Sequence, residues 1–442
     1  MYEWNPVFNW LIGIKNEYIT RYGGDDADLY GAGEYRSYVD KWVNALYGHD
    51  HSNANMRLLR CLICNTTGAV VNLHYNTIAI SKIGGLAFPE LSKLEAYAAM
   101  WSFDGGFLQK CRSICLDMEH EEIVIAAYDK FFNLNEMPWT RLSDVNDAIG
   151  REMEKEESER VLEVSDKLDG SYIAASWHYG RNAAGLSSSG QFDNGENLHI
   201  KIAKEYLNVE TVKMITENKR LSFMFELLDP RIPVVVRYPD SMYGLHLIGI
   251  RDKTTGETYT YRRTAAFGAR YGVRAAAAAE LTDLDALVAR AAEIGGVEGW
   301  VLNVGGRRYK VKCKEYFELS HILMGDVVGA NVVKCYYENT ADDFVSILPT
   351  DMADEFFAKM DIVKRYEENE LRKLGELFPR ADKSSRAAFA KWCFAESIRG
   401  GTLANMFMLM DGKEPCILYK TYGKERKYLK FSDIEELGGD IS

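Results

Sequence analysis

Short apolar runs broken by polar turns fill residues 57 to about 135, as in Ala69-Val70-Val71-Asn72-Leu73 and Ile123-Val124-Ile125-Ala126-Ala127, and predict strands. Residues 141–160 are charged and fit a helix that ends in a solvated acidic stretch, Glu152 to Glu159. Strand patterns resume at Val161 and run to about Val311, interrupted by a helical piece at 197–208. A second helical insertion is expected over 274–295, where Ala275 to Ala279 and then Leu281, Leu284 and Leu287 lead to Gly295-Gly296. After about residue 325 the period becomes helical. Phe356, Met360 and Val363, then Leu371 and Leu374, recur at three- and four-residue spacing up to Pro379. A further helix fits 384–399, capped by Ser384 or Ser385 and stopped by Gly400-Gly401. Residues 1–50 are rich in Trp, Tyr, Asp and Gly, with one plain turn at Tyr22-Gly23-Gly24-Asp25-Asp26. The pattern predicts an α+β architecture: a β-rich core over 1–325, with an N-terminal extension in about 1–55, and a smaller all-α C-terminal domain over 326–442.

Composition narrows this picture only slightly. A chain of 442 residues is long enough for two or three domains, and 47% apolar with 27% charged residues is ordinary for a soluble globular protein. No apolar run approaches the length needed to cross a bilayer, and the N-terminus lacks a charged-then-apolar leader, so a cytoplasmic protein is expected. The net charge of −12 argues against a protein that coats nucleic acid non-specifically, while leaving room for local basic surfaces. Cys61-Leu62-Ile63-Cys64 has CxxC spacing, but no second pair follows at ribbon spacing. Its flanks (Leu58, Leu59, Leu62, Ile63) read as a buried strand, so reduced structural thiols are expected there.

The chemistry is concentrated in Lys167-Leu168-Asp169-Gly170-Ser171. A lysine amine is a nucleophile only when neutral, and its ordinary pKa of ~10.4 leaves little neutral amine at pH 7. Such a lysine therefore needs a partly desolvated pocket with other cations nearby. Gly170 would let backbone pass close to a phosphate or sugar, and Ser171 would start a strand. Three downstream segments carry charge on one strand face. In Leu221–Leu227 the residues Phe223, Phe225 and Leu227 alternate to one side and Glu226 to the other, beside Met224. Glu298 shares a face with Trp300, and the intervening Gly299 permits close approach. In Tyr309–Lys314 three lysines, Lys310, Lys312 and Lys314, oppose Tyr309, Val311 and Cys313. Lysines also protect exposed sheet edges, so this stripe alone decides nothing.

Taken in order, these segments resemble motifs I, III, IV and V of ATP-dependent nucleic-acid ligases and mRNA capping enzymes: Lys167–Ser171, Phe225-Glu226, Glu298-Gly299 and Lys310-Val311-Lys312. Lys130-Phe131-Phe132-Asn133 resembles a segment upstream of the nucleophile in RNA ligases, and Cys111-Arg112-Ser113-Ile114 resembles their Arg-Gly-hydrophobic strand. Lys312-Cys313-Lys314-Glu315-Tyr316 running into Leu319-Ser320-His321 is similar to the motif V continuation of the tRNA-repair RNA ligases of T-even phages. The resemblance spans about residues 110–325. Two departures stand out: Ser113 replaces a usual glycine, and Ser188-Ser189-Gly190-Gln191-Phe192 lacks the basic residue often found before Gly-Ser-Phe. The region ahead of Arg112 is also longer than the family needs.

The resemblance implies a nucleotidyltransferase fold, ATP-grasp-like with largely antiparallel sheets, and a three-step reaction. Lys167 is adenylylated by ATP, AMP passes to an RNA 5′-phosphate, and a 3′-hydroxyl then displaces AMP. Under it Lys167 is catalytic, while Arg112, Lys130, Asp169, Gly170, Glu226, Glu298, Lys310 and Lys312 bind the nucleotide. Glu298 and Glu226 would hold Mg²⁺ or Mn²⁺, and Lys310 and Lys312 would also depress the Lys167 pKa. Phe223 or Phe225 stacking on adenine and a core role for both stay open. In the C-terminal domain, Lys413 and Tyr419 to Lys430 interleave bases with aromatics, which suits unpaired RNA or a solvated face equally. RNA with 5′-phosphate and 3′-hydroxyl ends, including cleaved tRNA, is the implied partner. The alternatives are a DNA ligase, a capping guanylyltransferase, and a non-catalytic protein that binds RNA ends.

Overall fold

A computed structural model describes residues 2–437 except 24–28, 49–52, 233–234, 315, 317–328, 339–340, 342–349 and 423–424. Most of the turn at Tyr22–Asp26, together with Glu315, Leu319-Ser320-His321 and Lys424, lies outside the described residues. The chain divides into two compact units, Met1–Leu319 and Ser320–Ser442.

The strands in chain order are β1 (Leu62–Thr67), β2 (Val70–Tyr75), β3 (Ile114–Asp117), β4 (Glu122–Ile125), β5 (Phe132–Asn133), β6 (Leu162–Lys167), β7 (Ser171–His178) and β8 (Ala183–Ser188). They continue with β9 (Leu221–Leu228), β10 (Gly244–Asp252), β11 (Ala278–Glu280), β12 (Gly299–Val304), β13 (Arg307–Lys312), β14 (Tyr419–Tyr422) and β15 (Glu425–Tyr428). Among the described residues the first unit holds three sheets, ordered β1-β2-β3-β4, β10-β9-β7-β8 and β11-β6-β12-β13-β5. The pairings are antiparallel except that of β13 with β5.

Each sheet is positioned by what it buries. On the β1–β4 sheet, the helices Pro6–Tyr22 and Tyr38–Tyr47 seat Leu11, Val39 and Trp42 in one cluster with Leu73, Ile114 and Leu116. Asn5 and Ser37 cap those helices, satisfying amides that have no partner in the first turn. On the second sheet, Phe223, Phe225 and Leu227 are covered by Ile200, Met214, Ile215 and Phe267 of the helices Leu198–Glu205, Val209–Glu217 and Tyr261–Arg270. Its other face turns Ala174 and Tyr172 to Val70, Cys115, Val124 and Ile125 of the first sheet.

Several expectations are corrected. Leu58 and Leu59 belong to the helix Ala54–Arg60, and helices Thr77–Ala87 and Lys93–Ser102 interrupt the region expected to be strand. The latter is fixed by a Ser92–Glu95 capping box, a signal that was readable in the sequence. Glu152 is buried and accepts from the Val161 amide, so the acidic stretch is not wholly solvated. The alanine run at 275–279 is not helical: Ala278 and Ala279 pair with Ser165 and Val164, and the helix starts only at Leu284. Alanine's helix preference, a few tenths of a kcal/mol per residue, is small against a sheet edge seeking a partner. In the second unit, helices Thr350–Leu377 and Arg386–Ala395 follow the expected periodicity. Gly400-Gly401, however, opens the helix Gly400–Met410 instead of closing the one before it. The unit is also not all-α. Tyr419–Tyr422 pairs antiparallel with Glu425–Tyr428, because Tyr and Thr at alternating positions favour a pleated strand over a helix.

Gly299 sits at φ +139, and a Cβ there would overlap the Val311 carbonyl oxygen. We expect Gly299→Ala to lower unfolding stability by about 2–3 kcal/mol in urea titrations. Gly13→Ala, in a helix with nothing within 4 Å of the added carbon, should raise it by about 0.5–1 kcal/mol.

Candidate active site

Lys167 is the last residue of β6, and the register makes Gly299 its neighbour on β12. Gly299 in turn faces Lys312 on β13. Lys167, Gly299 and Lys312 thus form one rank across the third sheet, and Glu298 stands immediately before it. The Glu298 carboxylate, buried at 3% exposure, takes both lysines on the same oxygen: Oε1 lies 2.6 Å from Lys167 Nζ and 3.3 Å from Lys312 Nζ. β13 lies between β12 and β5, so its lysines are not edge protection. Lys310 is 4% exposed with its ammonium 5.4 Å from the Phe131 ring. Lys314 falls beyond the strand end and is exposed.

After Lys167 the chain leaves the third sheet for the second. Gly170 passes so close to β9 that a Cβ would overlap the Leu227 carbonyl oxygen and come within 2.7 Å of Leu228 Cδ2 and 3.1 Å of Glu226 Cγ. The space a side chain would need at Gly170 is taken by the neighbouring strand β9. Ser171 starts β7 as expected. The Asp169 carboxylate accepts from the backbone amides of Val235 and Val236, at 2.7 and 2.9 Å, and from the Tyr316 hydroxyl at 3.1 Å. The Tyr238 hydroxyl donates to the Asp169 amide at 2.7 Å. Asp169 therefore ties the segment after β9 and the residue Tyr316, beyond β13, to the turn that follows Lys167. Burial, then the Glu298 charge, holds its carboxyl above the usual range despite the two amides.

Glu226 lies on β9, opposite Tyr172 on β7 and His246 on β10. Burial pushes its carboxyl up to about 8; Lys167 and Arg112 oppose that rise, while the Glu298 and Asp169 charges add to it. Phe223 and Phe225 face the helix-covered core, fully buried, so neither is placed to stack on a base. Arg112 precedes β3, its guanidinium 4.7 Å from the Phe131 ring centre, and its Nη1 is buried without a hydrogen-bond partner among the described residues. Ser113 adopts φ +55, which explains why glycine suits this position, and its hydroxyl donates to the Ser189 carbonyl at 2.6 Å. The two departures from the motif pattern are thus in direct contact. Lys130 is buried with its ammonium 5.0 Å from the Tyr75 ring.

Lys167, Glu226, Glu298, Lys312, Asp169 and Arg112 are accordingly linked by contacts or charge effects around one turn. Sequence reasoning missed Tyr238, whose position shows no pattern, and assigned no role to Tyr316. No group of three or more metal-ligating side chains occurs among the described residues, and Cys61 and Cys64 are buried free thiols. No described helix is long and apolar enough to cross a membrane.

A carboxyl raised in the folded state binds its proton more tightly there than in the unfolded chain. Glu226 therefore favours folding below its ordinary value of 4.5, and that contribution fades as pH rises toward about 8. In urea titrations from pH 5 to 8 the native protein should lose stability relative to Glu226→Gln. Parallel curves would contradict the raised carboxyl.

A family model described as RNA ligase matches residues 110–317. Solved structures of Naegleria gruberi RNA ligase are similar. The complex with PPi has 16% identity and a TM-score of 0.31, covering 39% of this chain and 55% of that one. A mutant with AMP and Mn has 15% identity and a TM-score of 0.32, covering 44% and 57%. This chain therefore spans a little over half the length of those enzymes. No curated protein matches the chain. The residues matched by the RNA ligase model, 110–317, make up a little under half of the chain.

Proposed function

We propose that the protein is an ATP-dependent RNA ligase that works through a lysyl-AMP intermediate at Lys167. The observation that carries this reading is the rank of Lys167, Gly299 and Lys312 bridged by Glu298, within the segment that matches the RNA ligase family model. Lys167 Nζ attacks the α-phosphorus of ATP, a P–N bond forms, and the bond to pyrophosphate breaks. Glu298 Oε1, 2.6 Å away, is positioned to take the ammonium proton that the amine must lose. Lys310 and Lys312 balance charge on the phosphates. Lys312 shares Glu298 with Lys167, and Lys310 and Arg112 meet at the Phe131 ring; cations so gathered suit a polyphosphate.

Glu298 and Glu226 are hard oxygen donors of the kind that hold Mg²⁺ or Mn²⁺ beside substrate phosphates. The ion, when bound, would offset phosphate charge. The Glu226 carboxyl must ionise to take that part, so metal binding should strengthen as pH rises toward about 8. The substrate is RNA with 5′-phosphate and 3′-hydroxyl ends, and a cleaved tRNA is the physiological candidate. The hairpin β14–β15, with Lys420, Arg426 and Lys427 between tyrosines, would track unpaired RNA. The first unit is read as the adenylyltransferase domain, of nucleotidyltransferase, ATP-grasp-like fold, and the second as its RNA-binding companion.

Incubation with Mg²⁺ and α-labelled ATP should leave acid-stable label on the protein. Lys167→Ala should abolish it, and Lys312→Ala should slow labelling about 100-fold or more. No label from ATP would overturn the ligase reading, and label from GTP alone would indicate capping. Sealing of 5′-phosphorylated single-stranded RNA distinguishes an RNA ligase from a DNA ligase. Replacing Lys420, Arg426 and Lys427 with alanine should weaken single-stranded RNA binding and reduce its log–log salt slope by about 0.7 per charge removed. An unchanged slope would remove the hairpin from the RNA surface.

A further inference from the structure

Tyr172 follows the Lys167–Ser171 motif directly and is the second residue of β7. Its register partner on β9 is Glu226. Residues directly opposite in an antiparallel pair share a face, with Cβ atoms about 5 Å apart. Part of Tyr172 is exposed, yet its hydroxyl oxygen is buried and has no hydrogen-bond partner among the described residues. Arg112 Nη1 is in the same condition, and the Arg112 charge acts on both Tyr172 and Glu226. Buried polar groups are nearly always bonded, so two unmet ones beside a third polar group point to a ligand atom.

The surroundings select that atom's chemistry. Tyr172 faces a carboxyl, Glu226, across the strand pair, and the Arg112 charge acts on both. A sugar hydroxyl is neutral, accepts from a phenol and donates to a carboxyl at the same time. We propose that Tyr172 hydrogen-bonds a ribose hydroxyl of the nucleotide held at Lys167, beside Glu226. This rests on the adenylylation reading, and it makes Tyr172 a binding residue that selects ribonucleotides.

The test measures binding without turnover, in the full chain carrying Lys167→Ala. Calorimetry gives Kd for ATP, 2′-deoxy-ATP and 3′-deoxy-ATP, each with and without Tyr172→Phe. The substitution should weaken ATP about 3- to 10-fold and leave unchanged the analogue that lacks the contacted hydroxyl. The melting temperature of the ligand-free protein should stay level or rise, because a buried hydroxyl without a partner has been removed. Equal weakening of all three nucleotides, no weakening, or a lower melting temperature would overturn the ribose contact while leaving the adenylylation reading intact. Failure of the Tyr172-containing protein to bind ATP at all would overturn both.

Discussion

Glycine at position 299 is the constraint on which the site depends. β12 must run so close to β13 that no side chain fits between Gly299 and the Val311 carbonyl. That approach brings Lys167, Gly299 and Lys312 into one rank, so that a single carboxylate, Glu298, reaches both amines. A bulkier residue would part the strands and separate two like charges from the anion that balances them. Breaking one partner away from a buried ion group is costly, because it leaves charge in a medium that solvates it poorly.

A second close approach sets the other half of the site. Gly170 lets the chain cross from β6 to β7 directly over β9, where Glu226 sits. Asp169 fixes the crossing by accepting two backbone amides and a phenol. The Lys-x-Asp-Gly-Ser spelling therefore divides its labour. Lysine is placed for chemistry, aspartate holds the surrounding segments, glycine makes room for a neighbouring strand, and serine begins the next one.

Carboxyl groups in this site are tuned against each other. Glu298 pairs with two lysines, whereas Glu226 faces further negative charge, and burial with that charge raises its carboxyl to about 8.

The sequence alone determined the alternation that puts Phe223, Phe225 and Leu227 in the core and Glu226 opposite, because a strand's period of two follows from backbone geometry. It also determined the lysine nucleophile candidate and the glutamates and lysines that follow it in order. What it left ambiguous was decided by packing: an alanine run became a sheet edge, apolar stretches at 77–102 became helices, and a basic-aromatic tail became a hairpin. Only the tertiary structure could decide that Gly170 accommodates β9, that Asp169 is a clamp, or that Ser113 and Ser189 touch. These depend on contacts between residues tens of positions apart, and local pattern carries no information about which strands will meet.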